Sequence, residues 1–414
     1  MPREKTVAGL DIGTCNIRIV AAKFREGKTF PQIAAVAQVP SNGVRKGVIV
    51  DLEETAQNII QAREMAQKRL GWPINSVFVN LNGPHLNCRQ SRGVVAVSRA
   101  DGEISEEDKT RAVNASSAIS LLPNCEILHI LPRRFSVDSQ EGIKDPVGMR
   151  GVRLEVDSLL IEGLSPHIKT LIKCLQEADL ESEGFMISAL ASSRAVLNKR
   201  QKELGVLVLD LGGATTNLAV YEEGDILHCK VLPVGCLHIT NDIAIGLRTS
   251  VEVAEKVKLE FGSLRPVQNK KEMIDLERLG DAAGEPVLRH NVSEIIEARV
   301  NEIFDLVNKE LKKIDRSGLL PAGVVLCGGG AKLPGIVELA KEKLRLPVAL
   351  GYPQEIEGLA EEVNDPSFAA VCGLISANED EEFRGPGGGS SLDFLKIFKP
   401  SLGKIKKWFK SFLP

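Results

Sequence analysis

The sequence predicts an α/β protein made of two similar domains, and three observations support this prediction. The chain has 414 residues, enough for two or three domains at the usual ~100–200 residues each. Strand-like and helix-like segments alternate along most of it, a pattern typical of α/β architecture. An apolar strand that ends in Asp-x-Gly and is followed by a second apolar strand occurs around Asp11 and again around Asp210. This repeat suggests two similar halves that face one another.

The predicted elements alternate as an α/β fold requires. Apolar runs bounded by turn residues predict strands, and apolar residues at steps of three and four predict helices. In chain order the elements are a strand ending in Asp-x-Gly at 7–13, a strand at 17–22, a helix at 52–70, a strand at 77–81, a helix at 106–122, a strand ending in Asp-x-Gly at 206–212, a strand at 218–221, helices at 250–262 and 290–311, a strand at 323–327 and a helix at 334–344.

The composition is that of a globular protein. Hydrophobic residues make up 43% of the chain, charged residues 26% and aromatic residues 4%, which excludes a wholly disordered or collagen-like chain. No apolar run reaches the ~18 residues that span a bilayer, and the N-terminus carries no apolar signal core, so we expect a cytoplasmic protein. The eight cysteines form no C-x-x-C pair and no zinc-finger spacing. We expect all of them to be reduced and packed as small hydrophobic residues.

Each Asp-x-Gly turn carries the residue types that a phosphate site needs. Glycine lets backbone N–H groups approach phosphate oxygens closely, and a threonine hydroxyl adds a donor. Asp11 and Asp210 are the candidate catalytic residues and would hold Mg²⁺ through water, since Mg²⁺ keeps several waters and takes few protein ligands. A single Asp-x-Gly is more often an ordinary hairpin turn, but two copies with similar flanking strands favour phosphate binding. The candidate contacts are Gly13, Thr14, Cys15 and Asn16 in the first turn and Gly212, Gly213, Ala214, Thr215 and Thr216 in the second.

A third candidate element is a glycine-rich turn between a strand and a helix. The apolar strand 324–327 meets Gly328, Gly329, Gly330 and Ala331 before a helix that Pro334 is predicted to start. Glycines leave room for an adenosine or phosphate against the backbone, and a helix N-terminus favours negative charge. The alternative is a tight turn with no ligand. Neither a P-loop nor a Rossmann glycine pattern occurs in the chain.

The order of these three elements resembles the actin, Hsp70 and sugar-kinase superfamily. The resemblance implies that ATP and Mg²⁺ lie between two similar domains, with a further helix contacting ribose and adenine. Residues 250–262 are similar to that helix, and helical spacing puts Glu252, Glu255 and Lys256 on one flank. The alternative for this flank is a solvated charged face.

The stretch from His129 to Asp157 resembles the inserted subdomain of the FtsA family of bacterial cell-division proteins, and 47–51 and 79–83 are also similar to it. The resemblance covers essentially the whole chain. The sequence departs from the family pattern at Cys15-Asn16, where serine and lysine are common. Without that lysine, the first turn lacks a cation. The implied organisation is a first domain at 1–83 and 163–199, an inserted α+β subdomain at 84–162, a second domain at 200–378 with an outer part at about 263–318 and its last 20 or so residues returning to the first, a linker at 379–391 and an amphipathic helix at 392–414.

The last 36 residues have the composition of a tether followed by a membrane anchor. Residues 379–391 are acidic and then glycine-rich, as flexible linkers are. Residues 392–414 carry six lysines and one aspartate, with apolar residues at steps of three and four. This pattern favours the surface of an anionic membrane; a core helix and a calmodulin-like or protein-binding helix are the alternatives, and nucleic-acid binding is disfavoured. The candidate membrane residues are Leu402, Ile405, Trp408, Phe409 and Phe412 with Lys404, Lys406, Lys407 and Lys410.

The family resemblance implies a function in cell division. It implies an ATP-binding protein that self-associates and has at most weak ATPase activity. Such a protein would bind the C-terminal peptide of the filament protein FtsZ and tether FtsZ filaments to the inner face of the cytoplasmic membrane at the septum. Arg299 on the helix at 290–311 would pair with that peptide, although an ordinary exposed arginine is equally possible. Residues 84–162 would contact neighbouring subunits and later division proteins. The alternatives are a phosphotransferase or active ATPase of the same fold and a PilM-like assembly protein.

Overall fold

Two similar β-sheets, one in each domain, organise the chain. The structure is a computed structural model that describes residues 5–25, 30–266, 269, 271–282 and 284–377. The predicted linker and the predicted membrane helix lie outside the described residues.

The described residues contain nineteen strands, most of them rich in Val, Ile, Leu and Ala. They are β1 (Lys5–Ile12), β2 (Asn16–Phe24), β3 (Gln32–Pro40), β4 (Val44–Arg45), β5 (Val48–Ile49), β6 (Ser76–Leu81), β7 (Asn87–Ala96), β8 (Cys125–Val137), β9 (Gln140–Ile143), β10 (Arg153–Leu164), β11 (Glu181–Ile187), β12 (Val206–Leu211), β13 (Thr216–Glu222), β14 (Asp225–Leu232), β15 (Met273–Ile274), β16 (Val287–Leu288), β17 (Val324–Cys327), β18 (Val348–Leu350) and β19 (Glu357–Gly358).

Eleven α-helices lie in the same described ranges, and none of them is long and apolar enough to cross a membrane. They are α1 (Leu52–Leu70), α2 (Glu106–Ser116), α3 (Ser165–Glu177), α4 (Ser188–Val196), α5 (Lys199–Leu204), α6 (Cys236–Leu247), α7 (Val251–Phe261), α8 (Arg289–Lys313), α9 (Ile336–Leu344), α10 (Ala360–Val363) and α11 (Ala369–Ser376).

The two sheets repeat one local arrangement. In the first sheet, of order β11-β6-β1-β2-β3-β19, β1 pairs antiparallel with β2 and parallel with β6. In the second sheet, of order β14-β13-β12-β17-β18, β12 pairs antiparallel with β13 and parallel with β17. All six residues of β12 are buried, as expected for a strand covered on both faces. The predicted α/β fold with two similar halves is therefore confirmed.

The inserted part of the chain forms its own antiparallel sheet of order β7-β10-β8-β9, covered by α2. Ser105 and Asp108 start α2 with a reciprocal capping box. The helix ends at Ser116, so the prediction of a helix reaching residue 122 is wrong. The Ser116 hydroxyl bonds the carbonyl of Val113, and the following Ser117 also bonds a helix carbonyl through its hydroxyl, the local competition that makes serine a poor helix former.

Helix boundaries follow their capping residues. In α1, Asp51 accepts from the N–H of Glu54 and Gly71 ends the helix at a φ of 84°, a left-handed conformation that suits glycine. Helix α9 begins at Ile336, two residues after the predicted start at Pro334, because the glycine-rich turn continues as a short 3-10 helix over Gly329–Lys332.

Helix α11 lies in the first domain although the preceding chain comes from the second. It packs against α4 and β1, and seven of its eight residues are buried. A Cβ at Gly373 would lie 1.7 Å from the carbonyl oxygen of Ala191 on α4, so glycine is required for this close approach. The end of the second domain is thereby fixed to the first.

Two of the cysteines are joined. Cys88 on β7 and Cys229 on β14 form a disulfide with a Cα–Cα distance of 6.1 Å. The expectation that all eight cysteines are reduced is therefore wrong for this pair, while the other six are free. The residues lie 141 positions apart, and only the packing of the inserted sheet against β14 brings them together.

Candidate functional site

A cleft of about 670 Å³ lies between the two domains, where both Asp-x-Gly turns and the glycine-rich turn meet. Its volume is in the range of small-molecule sites. Of the predicted phosphate and nucleotide residues, those that line the cleft are Asp11, Gly13, Thr14, Cys15, Asn16, Asp210, Gly212, Gly213, Thr215, Glu255, Gly328, Gly329 and Gly330.

The first turn is a tight loop closed by its own backbone. The N–H of Gly13 donates to the carbonyl of Asn16 at 3.0 Å, and a Cβ at Gly13 would lie 2.8 Å from that oxygen. Thr14 Oγ1 accepts from the N–H of Gly47 at 3.3 Å. Asp11 is the penultimate residue of β1, just before this loop, and its Oδ1 accepts from Asn80 Nδ2 at 2.7 Å. Burial raises the pKa of Asp11, and the nearby Arg18 opposes that shift.

The second turn repeats this geometry. The N–H of Gly212 donates to the carbonyl of Thr215 at 2.9 Å. Ser192 Oγ donates to Asp210 Oδ2 at 3.1 Å. Burial and then the charge of Asp11 raise the pKa of Asp210 to about 6, and both residues line the cleft. A bound cation would offset their two negative charges.

Two predicted residues of the second turn do not line the cleft. Ala214 is buried, and Thr216 is fully buried with its hydroxyl donating to the carbonyl of Val234 at 2.8 Å. Both residues therefore support the turn from the side away from the cleft. Gly213 is in contact with the first turn, because a Cβ there would lie 2.4 Å from Cys15 Sγ.

The glycine-rich turn combines one constrained and one open glycine. Gly328 has a φ of 80°, and a Cβ there would lie 2.3 Å from Asp210 Oδ1. A Cβ at Gly329 would meet nothing within 4 Å, so the space beside it is open to the cleft. Ala331 is buried behind the turn and does not line the cleft.

Helix α7 contributes a different pair from the one predicted. Glu255 and Lys258 line the cleft, whereas Glu252 and Lys256 do not; Lys256 Nζ instead donates to the carbonyl of Leu279 at 2.8 Å. Lys258 Nζ donates to Glu255 Oε2 at 2.6 Å and to Thr240 Oγ1 at 2.8 Å. The spacing i, i+3 puts these two charges on one face, and this spacing is visible in the sequence.

Arg18 supplies a cation that the first turn lacks at Asn16. It lies on β2 opposite Asp11, and its NH1 is 3.5 Å from Asp11 Oδ2. Its Nε donates to Gln38 Oε1 at 2.8 Å, and its guanidinium lies 5.1 Å from the ring centroid of Phe368. Arg18 was missed, although a charged residue between the buried Ile17 and Ile19 was a visible signal.

Arg299, the predicted partner-binding residue, lies on α8 away from the cleft. Its Nε and NH2 donate to the two carboxylate oxygens of Asp242 at 2.6 and 2.8 Å, and NH1 also pairs with Glu302. This hydrogen-bonded fork raises the pKa of Arg299. An acidic partner would therefore have to compete with Asp242 for the guanidinium.

The residues of the cleft suit a magnesium nucleotide chemically. Two converging carboxylates, two tight glycine turns and the open space at Gly329 match the needs of a cation, phosphates and a flat base. No group of three or more His, Cys, Asp or Glu side chains in the described ranges is placed to hold a metal directly. Asp11 and Asp210 are cleft carboxylates that could hold a cation through water.

Sequence comparisons identify the family. Residues 207–373 match the family model "Cell division protein FtsA", and residues 83–162 match "SHS2 domain inserted in FTSA". The cell division protein FtsA of Pseudomonas aeruginosa is 34% identical over 409 residues, which cover 98% of this chain and 97% of that protein. The chain belongs to the FtsA family. FtsA of Bacillus subtilis is 36% identical over 376 residues, covering 91% of this chain and 84% of that FtsA.

Solved structures agree with the fold of an FtsA-family protein. A PilM-PilN type IV pilus biogenesis complex superposes with a TM-score of 0.66 at 18% identity, covering 90% of this chain and 98% of that one. MreB5 of Spiroplasma citri bound to ADP superposes with a TM-score of 0.52 at 16% identity, covering 91% and 96%. These likenesses confirm the actin-like two-domain fold. The family match at residues 83–162 shows the inserted subdomain, and the curated relatives show that the chain is a cell-division protein of that fold.

Proposed function

We propose that this FtsA-family protein binds ATP with Mg²⁺ in the cleft between its two domains. The observation that carries the proposal is the convergence of Asp11, Asp210 and both glycine turns on one cavity. When bound, Mg²⁺ would neutralise phosphate charge. Thr14 and the backbone of the turns would orient the phosphates, Arg18 would add positive charge, and Glu255 with Lys258 would face the sugar and base. The ADP in the MreB5 structure supports this use of the fold.

We further propose that the protein tethers FtsZ filaments to the membrane. Residues 392–414 would bind an anionic lipid surface, since each lysine near such a surface adds about 1 kcal/mol and the apolar residues add burial energy. The C-terminal peptide of FtsZ would dock near Arg299 on α8, and residues 84–162 would contact neighbouring subunits and later division proteins. The localisation expected from this arrangement is the inner face of the cytoplasmic membrane at the septum.

Liposome co-sedimentation tests the tether. Full-length protein should pellet with anionic vesicles, and a chain that ends at residue 391 should stay in the supernatant. Phe409→Asp on the predicted apolar face should abolish pelleting, while the matched control Ser411→Asp should retain most of it. Equal pelleting of the full-length and shortened chains would refute the anchor.

Calorimetric titration tests the nucleotide site. ATP should bind in the presence of Mg²⁺, and Asp11→Asn with Asp210→Asn should abolish binding without unfolding the protein. Phosphate release should be slow. Turnover that is fast and stimulated by a small-molecule acceptor would instead favour a phosphotransferase.

A further inference from the structure

The disulfide between Cys88 and Cys229 joins two different sheets. Cys88 is the second residue of β7, on the edge of the inserted sheet, and Cys229 lies on β14, the edge of the second domain's sheet. The inserted sheet is connected through the chain to the first domain only, by β6 on one side and α3 on the other. The bond therefore ties the half that carries Asp11 to the half that carries Asp210.

Several polar links at this junction involve exposed side chains. Arg134 of β8 pairs with Glu223 and lies 3.7 Å from Asp225, and Lys144 donates to the carbonyl of Glu223 at 3.0 Å. The side chains of Arg134, Glu223 and Lys144 are 35%, 57% and 61% exposed, and ion pairs of this kind contribute little. The remaining contact is packing of β7, β8 and β10 beside β14, with apolar residues of β8, β10 and β14 in one core cluster.

The tie is close to the nucleotide cleft. Cys229 pairs with Ala219 on β13, and three positions along, Leu232 pairs with Thr216 at the second phosphate turn. A restraint on β14 is thus transmitted through one pair of strands to the turn that follows Asp210.

We propose that Cys88 and Cys229 form a reversible redox site whose oxidation locks the inserted subdomain to the second domain and restricts opening of the cleft. In the oxidising direction, the thiolate of one cysteine attacks a disulfide oxidant and forms a mixed disulfide, releasing one thiol. The second cysteine then displaces the other thiol, so that one protein disulfide forms and one small-molecule disulfide is reduced to two thiols. A dithiol reductant reverses both steps. The effect on nucleotide release rests on the proposed ATP function, whereas the lock itself does not.

Thiol counting on the full-length protein tests whether the site forms. After treatment with oxidised glutathione and removal of the reagent, alkylation in denaturant and intact mass should find six modified cysteines, matching the six that are free in the structure. After dithiothreitol the number should be eight, the full cysteine content. Eight modified cysteines in both states would overturn the proposal.

Hydrogen exchange and thermal unfolding test the lock. Reduction should speed amide exchange in β7 and β14 and lower the Tm by roughly 5 °C, since a link closing a long loop is lost. Cys88→Ser should behave like the reduced protein under both oxidising and reducing conditions. Cys229→Ala, which removes the other cysteine of the pair, should do the same. The control Cys125→Ser, a free cysteine, should keep the redox response. Identical exchange in the oxidised and reduced wild type would refute the lock.

Nucleotide release tests the coupling. A fluorescent ATP analogue should leave the oxidised protein at least about threefold more slowly than the reduced protein, and Cys88→Ser should abolish the difference. Equal release rates would refute the coupling. If no nucleotide binds in either state, the proposed ATP function fails, and thiol counting with hydrogen exchange still decides whether the lock exists.

Discussion

Asn82 bridges the two domains at the cleft. From its position after β6 in the first domain, its Nδ2 donates to Thr215 Oγ1 in the second turn at 3.1 Å. Its Oδ1 accepts from the N–H of Gly83 at 2.8 Å, which fixes the orientation of the amide. The second turn is thus positioned by a side chain of the opposite half.

Asn82→Ala should weaken ATP binding by about two- to tenfold. One hydrogen bond contributes about 0.5–1.5 kcal/mol net, and its loss leaves the second turn less ordered before nucleotide binds. Calorimetric titration with Mg²⁺ and ATP measures the change. Asn58→Ala, which removes an exposed amide contact to the carbonyl of Asn42 on the surface, is the control; an equal loss in both variants would contradict the prediction.

Arg18→Ala should weaken ATP binding by about 10- to 100-fold, since hydrogen bonds to charged groups contribute about 1.5–3 kcal/mol. Arg18→Lys should recover part of the affinity because it keeps the charge but loses the planar donors. Binding of ATP measured by calorimetry checks both. The exposed Arg45→Ala should bind as the wild type does, and unchanged affinity in Arg18→Ala would exclude a phosphate role.

Two adjacent glycines should respond differently to alanine. Gly329→Ala should leave the Tm unchanged and weaken ATP binding, because its Cβ would enter open space on the cleft side. Gly328→Ala should lower both the Tm and the affinity for ATP, because Gly328 has a φ of 80° and a Cβ there would collide with Asp210. The Tm measured by thermal unfolding without nucleotide distinguishes the two variants. A large loss of Tm in Gly329→Ala would contradict this account of the turn.

Without Mg²⁺, stability should fall as pH rises from about 4 to about 6. The pKa of Asp210 is raised to about 6 from an ordinary 3.8, first by burial and then by Asp11. A carboxyl with a raised folded pKa favours the protonated folded state, so its ionisation costs up to about 3 kcal/mol of the free energy of unfolding.

Urea unfolding in EDTA measures this effect as the difference in the free energy of unfolding between wild type and Asp210→Asn. The variant should be more stable than the wild type at pH 7 and lose the advantage near pH 4. Asp305→Asn, on the exposed side of α8, should show no such pH-dependent difference. A constant difference between wild type and Asp210→Asn across this range would argue against the raised pKa.

Asp242→Asn should strengthen binding of the FtsZ C-terminal peptide several-fold. Asp242 occupies Nε and NH2 of Arg299 in a bidentate pair, and loss of its charge makes these two donors available to an acidic partner. Arg299→Ala should abolish the gain, which fluorescence anisotropy of a labelled peptide can follow. Arg316→Ala breaks a comparable fork with Glu222 and should leave peptide affinity unchanged. Weaker binding in Asp242→Asn would place the peptide elsewhere.

Elements fixed by local signals could be predicted from the sequence. The helix at 52–70 and both hairpins match the structure, because capping residues and apolar strands act within a few residues. Asp11 and Asp210 were found because the same turn chemistry occurs twice. The end of α2 was placed too far along because the apolar Leu121 and Leu122 continued the pattern, although Leu122 is 70% exposed.

Residues whose position depends on domain packing could not be predicted in the same way. Arg18 and Lys258 face the cleft only because of how a strand of one domain and a helix of the other are set beside it. Pairing of Cys88 with Cys229 depends on the inserted sheet meeting β14, and no spacing in the sequence specifies that contact. The roles of the cleft residues toward a nucleotide stay predictions.

The return of α11 to the first domain has a mechanical consequence. Everything that follows residue 377 is attached to a helix wedged between α4 and β1. A load pulling on the end of the chain is therefore borne by the sheet that carries Asp11. The half that carries Asp210 receives such a load only indirectly, through the chain and through the disulfide that joins the inserted sheet to β14.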